Sequence, residues 1–245
     1  MNNTSYVKKS ISMVLAIFMI LNIFALFANV NVNAATDRVS MYSAGSVFSK
    51  YGMTIREVYI QTNDNATDQH VYVHYNYMNG QEWEYTEATY VTTLADGSKI
   101  WRATFNSYNI KYAIKYVADG QTYWDNNNNN NYTYEEIGTA PITVIRGADP
   151  FFNKKYSIDV LLKNFAYNKN VKVRYTLDNW NTYNDVPLSY TLTNADGTEL
   201  WSVDLDLADN DTSDFEYCVY YQVNGQTYWA NNFGQNYDSS YWIHK

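Results

Sequence analysis

Phe215-Glu-Tyr-Cys-Val-Tyr-Tyr-Gln-Val-Asn-Gly-Gln-Thr-Tyr-Trp229 is the stretch on which the fold turns. Phe215, Tyr217, Val219 and Tyr221 alternate with other residues, the period-2 pattern of a half-buried strand whose successive side chains point to opposite faces. Asn224-Gly225 follows, a pair suited to a tight hairpin turn because the central positions need positive φ. A second strand then runs to Trp229. Its last five residues, Gly225-Gln-Thr-Tyr-Trp229, occur once before, as Gly120-Gln-Thr-Tyr-Trp124. Five consecutive identities in one register mark a duplication.

The duplication extends on both sides of that stretch. Val71-Tyr-Val-His-Tyr75 aligns with Val171-Lys-Val-Arg-Tyr175, Tyr90 with Tyr190, Ala95-Asp-Gly97 with Ala195-Asp-Gly197, and Trp101 with Trp201. Extra residues then enter the second copy around Ala208 to Ser213, after which Asn126-Asn127 and Asn131-Tyr132 recur as Asn231-Asn232 and Asn236-Tyr237. Trp201, Val203, Leu205 and Leu207 alternate as strands do, as do Trp101/Ala103/Phe105 and Tyr112/Ile114/Tyr116. Asp96-Gly97, Asp119-Gly120 and Asp196-Gly197 supply further turns. The expectation is all-β: two tandem immunoglobulin-like antiparallel β-sandwich modules, at 53–145 and 155–245. Gly138 to Pro150, with two of the three prolines, marks the boundary, and 36–52 reads as a linker or an added first strand. About 20 residues separate the last motif of the first copy from the first strand of the second, a flexible reach of roughly 25 Å.

The N-terminus differs from the rest. Lys8 and Lys9 precede an apolar run from Ile11 to Ala28, and Val32-Asn33-Ala34 offers small residues before a cleavage point. This predicts a signal peptide over 1–34, hence a secreted, extracellular protein that leaves the membrane after cleavage. An uncleaved anchor is the alternative. Without Lys8 and Lys9, fifteen basic residues face twenty-five acidic ones, a net charge of −10. That balance repels polyanions and makes nucleic acid a poor partner. The single Cys218 excludes an internal disulfide and aligns with Ala113, as a small packed side chain would.

Catalytic chemistry finds little material. His70, His74 and His244 are the only neutral-pH bases. His70 and His74 lie about 13 Å apart on a strand at ~3.3 Å per residue, too far to share a metal ion. Nucleophile elbows, paired Cys motifs and phosphate loops are absent from the sequence. The acidic run Asp204, Asp206, Asp209, Asp211 and Asp214 matches no ordered calcium loop. The expectation is a non-catalytic protein with neither cofactor nor metal.

Twenty-six Tyr and seven Trp exceed what two small cores need. Tyr-Trp-x-Asn-Asn-x-x-x-Asn-Tyr closes a strand in both copies. A glucose ring has an apolar C–H face and a rim of hydroxyls, so an indole laid on that face buries area without stranding polar atoms. An Asn amide both donates and accepts, as adjacent sugar hydroxyls do. Composition alone leaves a second reading open, in which Trp124 and Trp229 are core residues and the Asn side chains close a turn.

Phe165 to Val186 and Phe215 to Tyr237 resemble family 21 carbohydrate-binding modules, the starch- and glycogen-binding β-sandwiches of fungal glucoamylase and of phosphatase glycogen-targeting subunits. The first copy is similar through Tyr123-Trp-Asp-Asn-Asn127 and Asn131-Tyr132. The resemblance implies sugar contact by Trp180 of Asp178-Asn-Trp180 and by Trp229, Asn231, Asn232, Asn236 and Tyr237, with Ala230 where the family carries Asp. In the first copy it implies Trp124, Asp125, Asn126, Asn127 and Tyr132. Gly80 falls opposite Trp180 there, and Trp83 is the nearest indole. The implied ligands are starch, glycogen or maltooligosaccharides, with a co-secreted amylolytic enzyme as companion. A duplicated structural or adhesive surface protein is the rival reading. Phosphatase targeting is a third, set against export and against the burial expected for Lys172-Val-Arg-Tyr175, the one basic-Val-x-aromatic match.

Overall fold

Period-2 alternation makes the strands and short polar turns join them. The computed structural model describes residues 38–49, 54–76, 82–106, 111–133, 136–147, 155–207, 212–238 and 243–244. The expected signal peptide at 1–34 lies outside them, as do Gly80, Asp209 and Asp211. The described chain is all-β apart from one 3-10 turn, Asn232–Gly234. The first copy contributes β1 (Val39–Ser49), β2 (Thr54–Thr62), β3 (Gln69–Asn76), β4 (Trp83–Glu87), β5 (Thr89–Thr93), β6 (Lys99–Asn106), β7 (Lys111–Ala118), β8 (Gln121–Asp125) and β9 (Glu136–Ile137). The second contributes β10 (Ile142–Arg146), β11 (Lys155–Lys163), β12 (Lys169–Thr176), β13 (Asn184–Pro187), β14 (Ser189–Thr193), β15 (Thr198–Asp206), β16 (Glu216–Val223), β17 (Gln226–Ala230), β18 (Tyr237–Asp238) and β19 (Ile243–His244).

Strand order is the same in the two halves. The first builds sheets β1-β2-β6-β5 and β4-β3-β7-β8, the second β10-β11-β15-β14 and β13-β12-β16-β17. In each half the inner faces of its two sheets meet. Val58, Ile60, Val71, Val73, Ile114 and Tyr116 fill the first core, and Ile158, Val160, Val171, Val173, Val219 and Tyr221 the second. Burying a side chain of this size contributes roughly 1.5–3 kcal/mol. Asp119-Gly120 and Asn224-Gly225 make the predicted hairpins, with positive φ at both central residues. Cys218 is a packed side chain on β16 whose thiol burial pushes up to about 11.

One boundary expectation is settled in favour of its added-strand alternative and another changes. The lead-in at 36–52 holds a full strand, β1, that pairs with β2 along nine positions. Its counterpart is β10, which pairs with β11 and therefore belongs to the second copy rather than ending the first at 145. Both strands carry a register shift at matching places, between Met41 and Ser43 and between Val144 and Arg146. Their sequences share little beyond spaced apolar residues, so the repeat was invisible there.

The flexible link is replaced by structure. β9 pairs with β1, and Gly138, Thr139 and Ala140 each donate to a carbonyl of Met41 or Tyr42 before β10 begins at Ile142. Val39–Lys245 accordingly forms one compact unit. β19 also lies along β1, in parallel. Phe233 of the second copy packs on Tyr59 and Tyr42 of the first, with ring centroids 5.0 and 5.7 Å apart.

Gly138 is where this bracing is tightest. A Cβ there would lie 1.8 Å from the Met41 carbonyl oxygen, a backbone atom that cannot swing aside. Gly138→Ala should therefore cost ~3 kcal/mol or more, at or above the upper end of the overpacking range, read as a lowered denaturation midpoint. Gly97→Ala is a poor control because that glycine has positive φ. Gly45→Ala, which meets only ordinary contacts at 3.7 Å, should cost far less.

Candidate carbohydrate-binding site

Each strand that fills a core with one face turns its other side chains to the outer face of its sheet, where some are exposed and others, such as Cys218 and Tyr220, are covered by their neighbours. On β12, Val171, Val173 and Tyr175 point in, so Lys172 and Arg174 point out; on β16 the outward set is Glu216, Cys218 and Tyr220. Trp229 of β17 lies beside Tyr220 in the ladder, their rings 5.1 Å apart, and is 44% exposed. Arg174 stands in the middle of this face. Its guanidinium makes two 2.8 Å bonds to the Asp185 carboxylate and lies 4.0 Å from the Tyr183 ring centroid and 5.7 Å from that of Trp229. The Arg174 bond holds the Asp185 carboxyl below the usual carboxylate range. The pair leaves a face with rings and little net charge.

Trp180 marks the other end of the same face. Asn179 and Trp180 take left-handed backbone conformations, and the turn is tied by Thr176 Oγ1, which accepts from the backbone N–H of Asp178 and of Trp180. The Trp180 indole donates to Glu216 Oε2 at 2.6 Å, and Asn236 Nδ2 approaches the same oxygen at 3.4 Å. Glu216 and Tyr220 are four residues apart on one strand, about 13 Å at ~3.3 Å per residue. Trp180 and Trp229 thus bracket a shallow surface, with Tyr183 and Arg174 between them and the ring of Tyr220 buried in it.

The first copy's outer sheet is more aromatic. His74 lies parallel to Tyr85 at 4.1 Å and is flanked by Trp83 at 4.7 Å and Trp124 at 5.8 Å. Lys115 Nζ lies 5.3 Å from the Tyr85 ring centroid and 6.0 Å from that of Trp124. Trp83 and Trp124 are well exposed. Trp83 pairs with Asn76 just as Tyr183 precedes the Tyr175–Asn184 pair, so Trp83 is the counterpart of Tyr183, not of Trp180. Tyr72, His74, Tyr85, Arg174, Tyr183 and Tyr220 went unread in the sequence. The alternation read over 71–75, 171–175 and 215–221 also puts Tyr72, His74, Arg174 and Tyr220 on the outer face, whereas Tyr85 of β4 and Tyr183, in the turn before β13, fall outside the strands read there.

The Asn-rich loops close on themselves. Asn127, Asn128, Asn129 and Asn131, and Asn232, Phe233, Gly234 and Asn236, have left-handed φ, which Asn tolerates better than other non-glycine residues. Asn127 and Asn232 each donate a side-chain N–H to the carbonyl of residue 131 or 236 at 3.1 Å. Asn126 exchanges side-chain bonds with Asn129, at 3.0 Å from its backbone N–H and 3.1 Å to its amide oxygen. In the second copy Gly234 replaces Asn129. Asn231 Oδ1 accepts from the Gly234 N–H at 3.2 Å, and the Asn231 Nδ2 group has no protein acceptor among the described residues.

Three expected contact residues belong to the packing instead. Tyr132 and Tyr237 are each only 8% exposed, stacked beneath their loops on Tyr112 and Tyr217. Burial pushes both phenols well above their usual range. Asp125 accepts from the Tyr132 hydroxyl and from the Met41 backbone N–H at 2.7 Å, which ties β8 to β1. Ala230 has no carboxylate for the equivalent bond. Asn127 and Asn232 serve first to close the turn. Trp83, Trp124, Trp180, Trp229, Asn126, Asn231 and Asn236 remain at the surface or at its edge.

Residues 154–240 match the family model described as carbohydrate/starch-binding module (family 21). Protein phosphatase 1 regulatory subunit 3C of Bos taurus is 39% identical over 82 residues, 32% of this chain and 26% of that protein. Protein phosphatase 1 regulatory subunit 3B of Homo sapiens is 40% identical over 82 residues, 32% and 29%. Glycogen-binding subunit 76A of Drosophila melanogaster is 32% identical over 91 residues, 35% and 13%. The chain thus spans less than a third of these relatives. Among solved structures, the carbohydrate-binding module of the muscle glycogen-targeting subunit of protein phosphatase-1 is 25% identical with a TM-score of 0.34, covering 40% of this chain and 73% of that one. The starch-binding domain of Rhizopus oryzae glucoamylase is 25% identical with a TM-score of 0.33, covering 40% and 92%.

Residues 154–240 therefore match one module of a carbohydrate-binding kind, and a non-catalytic chain accords with that match to a binding module and with relatives named as regulatory subunits. The expectation of a secreted glucan binder, with an amylolytic companion, is overturned. The relatives are named as phosphatase regulatory subunits and as a glycogen-binding subunit, the class set aside on the sequence.

Trp229→Ala should leave thermal unfolding nearly unchanged because the ring is on the surface, whereas Tyr237→Ala should cost about 3–5 kcal/mol as large core truncations do. His74 supplies a pH test. Burial, with Lys115 adding to it, lowers its pKa, so the folded state prefers the neutral ring. Its contribution is fully present above the unfolded value of about 6.5 and is lost as pH falls through the folded one. His70 is shifted upward by Glu87 and acts in the opposite sense. Between pH 7 and 5 the wild type should therefore lose more stability than His74→Gln.

Proposed function

We propose that this chain is a non-catalytic glycogen-binding protein in which two modules each hold α-1,4-glucan on the outer face of one sheet. In the second, Trp229 stacks on the apolar face of a glucose unit, Trp180 receives a neighbouring unit, and Asn231 donates to a hydroxyl. The first presents Trp83, Tyr85 and Trp124 around His74 for the same purpose. The observation that carries the reading is the exposed Trp229 ring, placed at a strand end beside an amide with a donor to spare, within residues that match a carbohydrate/starch-binding family. A face with its one guanidinium neutralised by Asp185 suits a neutral polymer. Starch and maltooligosaccharides share the same C–H faces and fit the same site.

The kinship with regulatory subunits makes protein phosphatase 1 the partner class to test. Lys172–Tyr175 does not serve as its docking segment. It lies in β12 with β13 and β16 paired along its two edges, and Val173 is fully buried.

Affinity electrophoresis on glycogen, amylopectin and a cellulose derivative tests the binding. Glycogen and amylopectin should retard the protein and the cellulose derivative should not; equal retardation by all three would defeat the proposal. Trp229→Ala, which removes roughly 1.5–3 kcal/mol of stacked area, should weaken binding by on the order of 10–100-fold.

A further inference from the structure

We propose that the junction between the two copies is a composite glucan subsite, in which Tyr42 and Tyr59 of the first copy extend the surface that begins at Trp229. This rests on the glucan-binding reading above. A cavity of about 50 Å³ opens at the junction, lined by Trp229, Asn231, Asn232 and Phe233 on one side and by Tyr42 and Tyr59 on the other. It is too small for a whole pyranose ring and large enough for a hydroxymethyl arm or a ring edge. A chain stacked on Trp229 would bring its next unit over this opening.

Two features set the second copy's loop apart from the first's. Phe233 has φ 54°, a left-handed conformation costing roughly 1–2 kcal/mol in a bulky residue, where the first copy has Asn128. Its contacts with Tyr59 and Tyr42 offset that cost and fix the loop against the other copy. The second feature is polar. Replacement of Asn129 by Gly234 leaves the Asn231 Nδ2 donor without a protein acceptor among the described residues, and the Tyr59 hydroxyl lies 3.5 Å from Asn232 Oδ1 at the same opening. A donor, an acceptor and a hydroxyl at one opening match the mixed roles of sugar hydroxyls. Glu57, also in the lining, is already paired with Arg102, so the site offers no charge to an ionic ligand.

Calorimetry on the full chain with maltotriose and maltoheptaose tests this. Phe233→Asn installs the first copy's residue, and Tyr59→Phe removes one hydroxyl while keeping the ring contact. Losing one or two such contacts should weaken maltoheptaose binding about 3–20-fold and change maltotriose binding less than about 2-fold. The melting temperature of Tyr59→Phe, measured beside that of the wild type, separates an effect on folding, which would lower binding of both sugars, from the loss of a sugar contact, which lowers maltoheptaose binding alone. The subsite is refuted if both variants bind both sugars as the wild type does, or weaken both equally. Wild-type protein that binds neither sugar would overturn the glucan reading and the subsite together.

Discussion

The eight-residue ladder between β12 and β16, repeated as β3 and β7, is the constraint from which the rest follows. Because a strand alternates its faces, sending Val171, Val173, Val219 and Tyr221 into the core commits Arg174, Cys218 and Tyr220 to the outer face, where Arg174 is part-exposed and Cys218 and Tyr220 lie covered. A one-residue slip would exchange these sets. Core and candidate site are therefore two faces of the same strands, and their relative placement is held by backbone hydrogen bonds rather than by a mobile loop.

Within that shared frame the copies differ where chemistry differs. Position for position, Arg174 with its carboxylate partner Asp185 stands where the first copy has His74 on Tyr85. One face centres on a neutralised cation and the other on a cluster of rings. Below the loops, Asp125 ties β8 to β1, whereas Ala230 makes no such tie and the second loop instead leans on the other copy through Phe233. The docking of Phe233 and the bracing of Gly138 to Ala140 on β1 turn what would be two beads on a string into one body. Any cooperation between the two faces then depends on fixed geometry, not on the reach of a linker.

The kinship with phosphatase regulatory subunits sits well with this architecture. The strand edges of β12 are consumed by the sheet, with β13 along one and β16 along the other. The covered share of the relatives, under a third, leaves most of those proteins without a counterpart here.

The amino-acid sequence by itself determined the alternating strands, the hairpins at Asp119-Gly120 and Asn224-Gly225, and the duplication, because each follows from local alternation or from a short repeated motif; that the Trp124 and Trp229 indoles are exposed rather than core came from the structure. The all-β class followed from the same signals. What tertiary structure alone decided was the use of each polar or aromatic residue once its neighbours arrived. Tyr132 and Tyr237 looked the same as the exposed rings in composition, yet their register puts them under the loops. Asp125 and Asn232 looked free for a ligand, yet the first turns to β1 and the second to its own loop carbonyl. β1 escaped the repeat because a strand needs only spaced apolar residues, and its equivalence to β10 lies in pairing partners far away in the chain. Local order is written in neighbours along the sequence; burial, pairing and free hydrogen-bonding capacity depend on neighbours in space.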